Sequence, residues 1–155
     1  MNNMIQIDQQ LIRELFDKAV VNPRLRQHMD VRNSEDDNSQ RLFYALMPGT
    51  EVPIHRHPMS NETVICLAGR LVEVLYEEEN SAADFPMGMD AQDVPSGRRF
   101  KESARYVLNP SLGHFGCVVP AGVWHTVEVY EPSVIFEAKD GAYGKDASES
   151  FVPSK

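Results

Sequence analysis

Short apolar segments separated by glycine, proline and asparagine fill the chain from residue 41 onward. Each segment is short enough to be one strand, and no helical pattern lies between them. Such a series is typical of an antiparallel barrel or sandwich, so we predict a mainly β fold. The predicted strands cover residues 41–47, 62–68, 71–76, 105–108, 117–119, 124–130 and 134–138.

The segment before this series has a different pattern. Its apolar residues recur at helical spacing, which predicts an amphipathic helix over residues 8–20 with Asp8 as its N-cap. Asn22 and Pro23 should end the helix. Residues 24–40 are polar and without periodicity, so we predict a surface loop there, and residues 77–101 predict a long inserted loop.

The length of 155 residues suits one domain. We expect the helix and loop of residues 1–40 to pack on a barrel of residues 41–140, followed by a tail of residues 141–155. The net charge of −8 argues against binding to nucleic acid or to anionic membranes. No apolar run is long enough to cross a bilayer, and two cysteines without a CxxC pair fit a reducing compartment, so we expect a cytoplasmic protein.

A pair of histidines marks the candidate site. His55 and His57 are two residues apart, so a strand would place both imidazoles on one face. Glu62 would lie on the opposite face of an uninterrupted strand. Pro58 and the Ser60–Asn61 pair predict a turn between them, which lets Glu62 join the two imidazoles.

A third imidazole comes later in the chain, where a Pro-x-Gly turn at Pro120 and Gly122 leads to His125 on the next strand. Three imidazoles and one carboxylate suit one divalent transition metal ion and leave open positions for water or substrate. These donors are compatible with Fe, Zn, Mn, Ni, Co or Cu, and the sequence does not distinguish among them.

The first of these segments resembles the first motif of the cupin superfamily at every fixed position, namely Gly49, His55, His57, Glu62 and Gly69. The second segment is similar to the second cupin motif at Pro120, Gly122 and His125. It departs from that motif in a leading glycine displaced to Gly113 and in Val129 where asparagine is usual. The resemblance implies a cupin barrel, which is a double-stranded β-helix or jelly roll, with His55, His57, Glu62 and His125 as metal ligands. The alternative is a cupin that has lost its metal and keeps these residues as structural polar groups.

A narrower resemblance covers most of the chain and points to the WbuC family of cupin-fold metalloproteins. It rests on the opening helix and on Asn22-Pro23-Arg24, Gln40-Arg41, residues 45–50, His55-Arg56-His57 and Glu137-x-Lys139-x-Gly141-x-Tyr143. Members of that family tend to be encoded among bacterial genes for surface polysaccharide or O-antigen synthesis. The resemblance implies a fold and a metal more firmly than a substrate.

Four residues are candidates for substrate binding. Arg41 opens a strand that leads toward the metal motif, where an arginine could clamp a carboxylate or phosphate. Arg24 is a weaker version of the same idea, and Lys139 and Tyr143 could fold back over the pocket. The alternatives are a surface ion pair for the arginines and a solvated tail for the other two. His28 and His114 match no ligand position and are interpreted as surface or core histidines.

The alternation of side chains along the strands predicts which of them line the pocket. If Glu62 points into the barrel, Cys66 does so too, either as a small buried residue or as a redox-active thiol. Ile65 and Leu67 then point outward and need cover, which the N-terminal helix or a second subunit could give. We therefore expect a homodimer.

These observations leave the function open between two main hypotheses. The first is a metal-dependent enzyme, an isomerase, lyase or oxygenase, acting on a small polar substrate such as a sugar or sugar acid. The second is a non-catalytic module that binds or senses such a compound at its metal. A metal-free sugar epimerase of related fold has no use for three converging imidazoles. No residue is assigned as catalytic.

Overall fold

The computed structural model describes residues 4–79, 98–141 and 148–151. Within them the chain forms one α-helix, α1 (Gln9–Val21), and ten strands. The strands are β1 (Arg26–Asp30), β2 (Ser39–Leu46), β3 (Ile54–Arg56), β4 (Glu62–Ala68), β5 (Leu71–Glu78), β6 (Phe100–Leu108), β7 (Gly116–Val119), β8 (Trp124–Val129), β9 (Ser133–Asp140) and β10 (Glu149–Phe151).

The strands form two antiparallel sheets of five, and the chain crosses between them repeatedly. One sheet has the order β1-β2-β9-β4-β7, and the other has the order β10-β3-β8-β5-β6. Side chains from both sheets meet in a shared interior, whose apolar part includes Leu46, Val64, Leu71, Leu108 and Ile135. The predicted mainly β fold is confirmed.

The helix covers the outside of the first sheet. The Asp8 carboxylate accepts hydrogen bonds from the backbone N–H groups of Gln10 and Leu11, as expected of an N-cap. Ile12, Leu15 and Ala19 are buried against Phe43 and Ala45 of β2, with Leu67 of β4 packed beside them. The helix therefore supplies the cover that Leu67 was expected to need, whereas the Ile65 side chain is 37% exposed.

Two loop predictions are wrong in part. Residues 24–40 contain β1, which pairs with β2 from Arg26↔Leu46 to Asp30↔Leu42. This edge strand has polar residues and no alternation, so its backbone pairing forms it rather than an apolar face. Residues 77–101 contribute to the ends of β5 and β6, which pair from Leu71↔Leu108 to Glu78↔Phe100. Residues 80–97 of this predicted loop lie outside the described residues.

Trp124 shows that an outward side chain need not be exposed. It alternates with the inward His125 on β8, yet it is only 3% exposed. The guanidinium of Arg56 lies 4.6 Å from the centre of its ring, and the Phe100 ring lies 4.9 Å away edge to face. These contacts cover the second sheet directly behind the histidines.

Within the described residues, no helix is long and apolar enough to cross a membrane.

Candidate metal centre and its cavity

His55, His57, Glu62 and His125 converge inside the barrel, where their ligand atoms all lie within 4.8 Å of one another. The second sheet carries the histidines. His55 on β3 pairs directly with His125 on β8, and His57 follows the end of β3. Glu62 is the first residue of β4 in the first sheet. The two sheets thus approach one another with three imidazoles on one side and a carboxylate on the other.

Backbone carbonyls determine which imidazole nitrogen faces the centre. Nδ1 of His55 lies 2.9 Å from the carbonyl oxygen of Pro53, and Nδ1 of His125 lies 2.9 Å from that of Val123. A carbonyl can only accept, so each Nδ1 carries a proton and donates it. In the neutral imidazole Nε2 then carries a lone pair. Nδ1 of His57 lies 2.7 Å from Oγ of Ser148, a hydroxyl group that can accept from this nitrogen or donate to it.

The inward nitrogens face a carboxylate. Nε2 of His57 lies 2.9 Å from Oε2 of Glu62, and Nε2 of His125 lies 3.5 Å from Oε1 of the same residue. Lone pairs on nitrogen and oxygen repel one another at these distances unless a proton or a metal cation lies between them. Hydrogen bonds to Nδ1 also hold the ring of a metal-ligating histidine in orientation. The donor set therefore fits a bound divalent transition metal.

The electrostatics of the cluster favour ionised Glu62 and neutral His55. Burial acts to raise the pKa of Glu62, but the hydrogen bonds from His125 and His57 outweigh it and hold that pKa well below its usual range. Burial, together with the charge of His125, lowers the pKa of His55 to about 4. Burial also opposes protonation of His125, yet the hydrogen bond to Glu62 and its negative charge leave the pKa of His125 raised.

A cavity of about 610 Å³ opens beside the cluster. Residues of both sheets line it. They include Arg24, Arg26, His28, Gln40, Tyr44, His55, His57, Glu62, Glu73, His125, Val127, Ile135, Glu137, Lys139, Ser148 and Ser150. Arg24 and His28 are exposed, so they lie at its opening to solvent. The volume of the cavity and its lining of both polar and apolar side chains are typical of a site that binds a small molecule.

The strand registers arrange the lining in layers. In the first sheet Gln40, Lys139 and Glu62 lie side by side across β2, β9 and β4. Glu137 lies two residues along β9 and faces the same interior. In the second sheet Glu73 of β5 pairs with Val127, one inward position beyond His125 on β8. Glu73 and Glu137 thus approach from opposite sheets in the layer next to the cluster.

Glu73 was not predicted as a site residue. Its side chain is 1% exposed, and neither carboxylate oxygen has a hydrogen-bond partner. Burial raises its pKa to about 8. Burial, with the charges of Glu62 and Glu73, also raises the pKa of Glu137 well above its usual range. The sequence carried a signal for Glu73, because it is the single charged residue within the predicted strand of residues 71–76 and stands between Val72 and Val74.

The structure brings two of the four predicted substrate residues to the cavity. Arg24 and Lys139 line it. Arg41 does not, because it alternates with the inward Gln40 and Leu42 on β2 and points to the other face, where its Nη2 lies 2.5 Å from Oδ2 of Asp37. The interpretation of Arg41 as an ion-pair residue fits this placement better than a substrate clamp. Tyr143 lies outside the described residues.

The other residues discussed in the sequence analysis are not part of the cluster. His114 is exposed, and His28 stacks against Tyr44 with ring centres 5.8 Å apart. Cys66 is buried in the apolar interior, and its Sγ lies 3.3 Å from the carbonyl oxygen of Ala68. Burial raises the pKa of this thiol, which favours its interpretation as a small core residue rather than a reactive one.

The family described as "Domain of unknown function (DUF6016)" matches residues 7–84, which is half of the chain. The chain belongs to this family. The matched region contains α1, the first cupin-like motif and Glu73. No curated protein sequence matches the chain.

Solved structures show the same fold in two other proteins. The capsular polysaccharide assembling protein CapF from Staphylococcus aureus superposes with a TM-score of 0.57 at 14% sequence identity, covering 86% of this chain and 33% of CapF. An oxalate oxidase superposes with a TM-score of 0.51 at 16% identity, covering 86% of this chain and 58% of the oxidase. This family member thus spans a third of CapF and little more than half of the oxidase. These likenesses confirm the predicted jelly-roll cupin fold.

Proposed function

We propose that this chain binds one divalent transition metal ion through His55, His57, Glu62 and His125. We also propose that a small polar molecule binds next to the ion, in the cavity beside the cluster. The observation that carries the proposal is the orientation of the imidazoles. The carbonyls of Pro53 and Val123 hold Nδ1 of His55 and His125, so Nε2 of each is directed toward Glu62. A cluster kept only for structure has no need of this common orientation.

A bound ion would supply Lewis-acid chemistry toward a carbonyl or hydroxyl group of the bound molecule. The chain's own residues supply the remainder of the site. Glu62 and the histidines provide the donor atoms, Lys139 places a cation in the same row as Glu62, and the apolar interior beyond Val64 excludes water from the far side. Whether the site turns over its ligand as an isomerase, lyase or oxygenase, or only binds it, is decided by assaying the metal-loaded protein for product.

We propose a sugar or sugar acid of surface polysaccharide metabolism as the class of small molecule. The resemblance to the WbuC family supports this proposal, and so does the shared fold with a protein described as assembling capsular polysaccharide. Polar side chains at both the opening and the interior of the cavity suit a molecule with several hydroxyl groups.

Our proposal extends to the oligomeric state, the location and the domain organisation of the protein. We propose a homodimer, supported by the partly exposed Ile65 and by Phe115 and Val118 on or beside the neighbouring edge strand β7, which are 61% and 58% exposed. We propose a cytoplasmic location, supported by two unpaired cysteines. We further propose that residues 1–40, 41–140 and 141–155 form one domain.

Elemental analysis tests the metal proposal. Wild-type protein purified without added metal should contain close to one transition-metal ion per chain, and the element found would narrow the chemistry. His125→Ala should lose most of this metal, whereas His114→Ala, which removes an exposed histidine, should keep it. A folded His125→Ala protein with wild-type metal content would show that the ligand set is wrong.

A further inference from the structure

We propose that Glu73 and Gln40 recognise the hydroxyl groups of a neutral polyhydroxylated ligand, such as a monosaccharide, beside the metal cluster. The inference rests on the proposed function, because it names the class of molecule that the cavity takes. Neither residue was a candidate in the sequence, and neither belongs to the set of metal donors.

The argument begins with unsatisfied hydrogen-bond acceptors. Both carboxylate oxygens of Glu73 and the Oε1 atom of Gln40 are buried without a hydrogen-bond partner. The two side chains are 1% and 2% exposed, so contact with bulk solvent does not supply the missing hydrogen bonds. A buried polar group without a partner destabilises the fold, and such groups in native proteins mark places where a ligand or water completes the bonding.

The two residues belong to opposite walls of one cavity. Gln40 stands on β2 in the first sheet, and Glu73 stands on β5 in the second. Both line the cavity that contains His55, His57, Glu62 and His125. A ligand that spans this cavity therefore faces Gln40 on one wall and Glu73 on the other.

The chemistry of these atoms selects a hydroxyl-bearing ligand over an anion. A hydroxyl donates to an ionised carboxylate or to an amide oxygen, and it can also accept a proton from a carboxylic acid. It therefore satisfies Glu73 in either protonation state. A ligand carboxylate or phosphate offers only acceptors, so it cannot satisfy Gln40 Oε1 and can bond to Glu73 only when that carboxyl group is protonated.

The charges of the cavity point the same way. Three carboxyl groups line its interior, those of Glu62, Glu73 and Glu137. Among the lining residues that the structure describes, the buried basic side chain is that of Lys139. The burial that raises the pKa of Glu73 and of Glu137 favours their neutral forms, which suit hydrogen bonding to an uncharged ligand. Arg41, the residue expected to clamp an acidic sugar, faces Asp37 on the other side of β2. Of the arginines that do line the cavity, Arg24 is exposed at its opening, and Nη1 of Arg26 donates to the carbonyl oxygen of Glu51.

Calorimetric titration of the metal-loaded protein tests the inference. The probes are three neutral sugars, D-galactose, D-mannose and L-rhamnose, and two acids, D-glucuronate and D-galacturonate. At least one neutral sugar should bind more tightly than either acid. Glu73→Leu and Gln40→Leu should each weaken its binding at least tenfold and leave the metal content unchanged. The control is Glu128→Leu, which makes the same replacement at an outward position of β8 where Glu128 pairs with Arg105.

Stability separates recognition from a structural role. Glu73→Leu removes a buried carboxyl without a partner, so it should raise the free energy of unfolding while it weakens sugar binding. If Glu73→Leu does not fold, Gln40→Leu carries the same test. The inference is overturned if the Leu variants bind the sugar as the wild type does, if only the acids bind, or if no neutral probe binds. Each of these results leaves the metal proposal standing, whereas a wild type without metal would overturn the proposed function itself.

Discussion

His57 Nε2 lies 2.9 Å from Glu62 Oε2, although the two residues are held by strands of different sheets. His57 follows β3 of the second sheet, and Glu62 begins β4 of the first. The turn between them was expected to bring Glu62 to the same face as the histidines. It instead carries the chain across the barrel, so that Glu62 faces them. The three histidines and Glu62 therefore come together through the packing of the two sheets as well as through the local turn.

The glycine that ends the first motif is required for packing. Gly69 has φ +86°, and a Cβ at this position would lie 2.1 Å from the carbonyl oxygen of Pro132. Gly122 has φ +80°, but nothing lies within 4 Å of its Cβ position. We expect Gly69→Ala to lower the free energy of unfolding by about 3 kcal/mol or more, and Gly122→Ala by about 1 kcal/mol. Urea denaturation of both variants measures the difference, and equal losses would contradict the packing argument.

The helix stabilises the barrel without taking part in the site. Leu15 is 3% exposed and packs in the cluster that contains Phe43 and Ala45, whereas Gln40 and Tyr44 on the same strand line the cavity. Leu15→Ala should lower the free energy of unfolding by about 2–5 kcal/mol. Metal content per folded chain should stay at the wild-type value. A loss of metal from folded Leu15→Ala protein would show that the helix and the site are coupled.

The sequence predicts the strands that have an apolar face and misses those that do not. All seven predicted segments overlap strands, and β4 has the predicted bounds. The three missed strands, β1, β3 and β10, are short and mostly polar. Their residues become strands because neighbouring backbones supply hydrogen bonds, for example where β10 pairs with β3. A pattern within one segment does not contain that information.

The candidate site also has residues that the sequence predicts and residues that it does not. The four cluster residues follow from motif spacing, but the face to which Arg41 points depends on the phase of alternation along β2. That phase is set by which residues pack under α1, since Phe43 and Ala45 face the helix and leave Gln40 for the cavity. Glu73 was not predicted because β5 is buried on both of its faces here, with Leu71 on the face of Glu73 and Val72 and Val74 on the other. The sequence therefore shows no alternation of apolar and polar residues around it.

Ser148 should strengthen metal binding through its contact with His57. Its Oγ lies 2.7 Å from Nδ1 of His57, just before β10, which pairs with β3. Contacts of this kind hold the ring of a metal-bound histidine in orientation, and their loss weakens affinity by about 10–100-fold. We expect Ser148→Ala to show a loss in this range when the metal is titrated against a competing chelator.

Two companion variants make the Ser148 test specific. Ser148→Thr keeps a hydroxyl and should bind metal nearly as the wild type does. Ser111→Ala removes an exposed serine that donates to Asn109 and does not line the cavity, so it should have no effect. Equal affinities for Ser148→Ala and the wild type would show that the hydroxyl does not orient His57.

Glu73 should make the protein less stable as the pH rises. Burial raises its pKa from 4.5 to about 8 in the folded protein, so the folded state binds more protons than the unfolded state between these values. The free energy of unfolding therefore falls as the pH rises from 4.5 toward 8, by at most about 1.4 kcal/mol for each pH unit.

Glu73→Gln has no group to titrate at this position. The free energy of unfolding of the variant should exceed that of the wild type by a margin that widens from pH 5 to pH 8, both proteins being stripped of metal so that its release does not contribute. Glu128→Gln, which alters a carboxylate outside the cavity, controls for the change in net charge. Parallel profiles for Glu73→Gln and the wild type would mean that Glu73 is already ionised across this range in the folded protein.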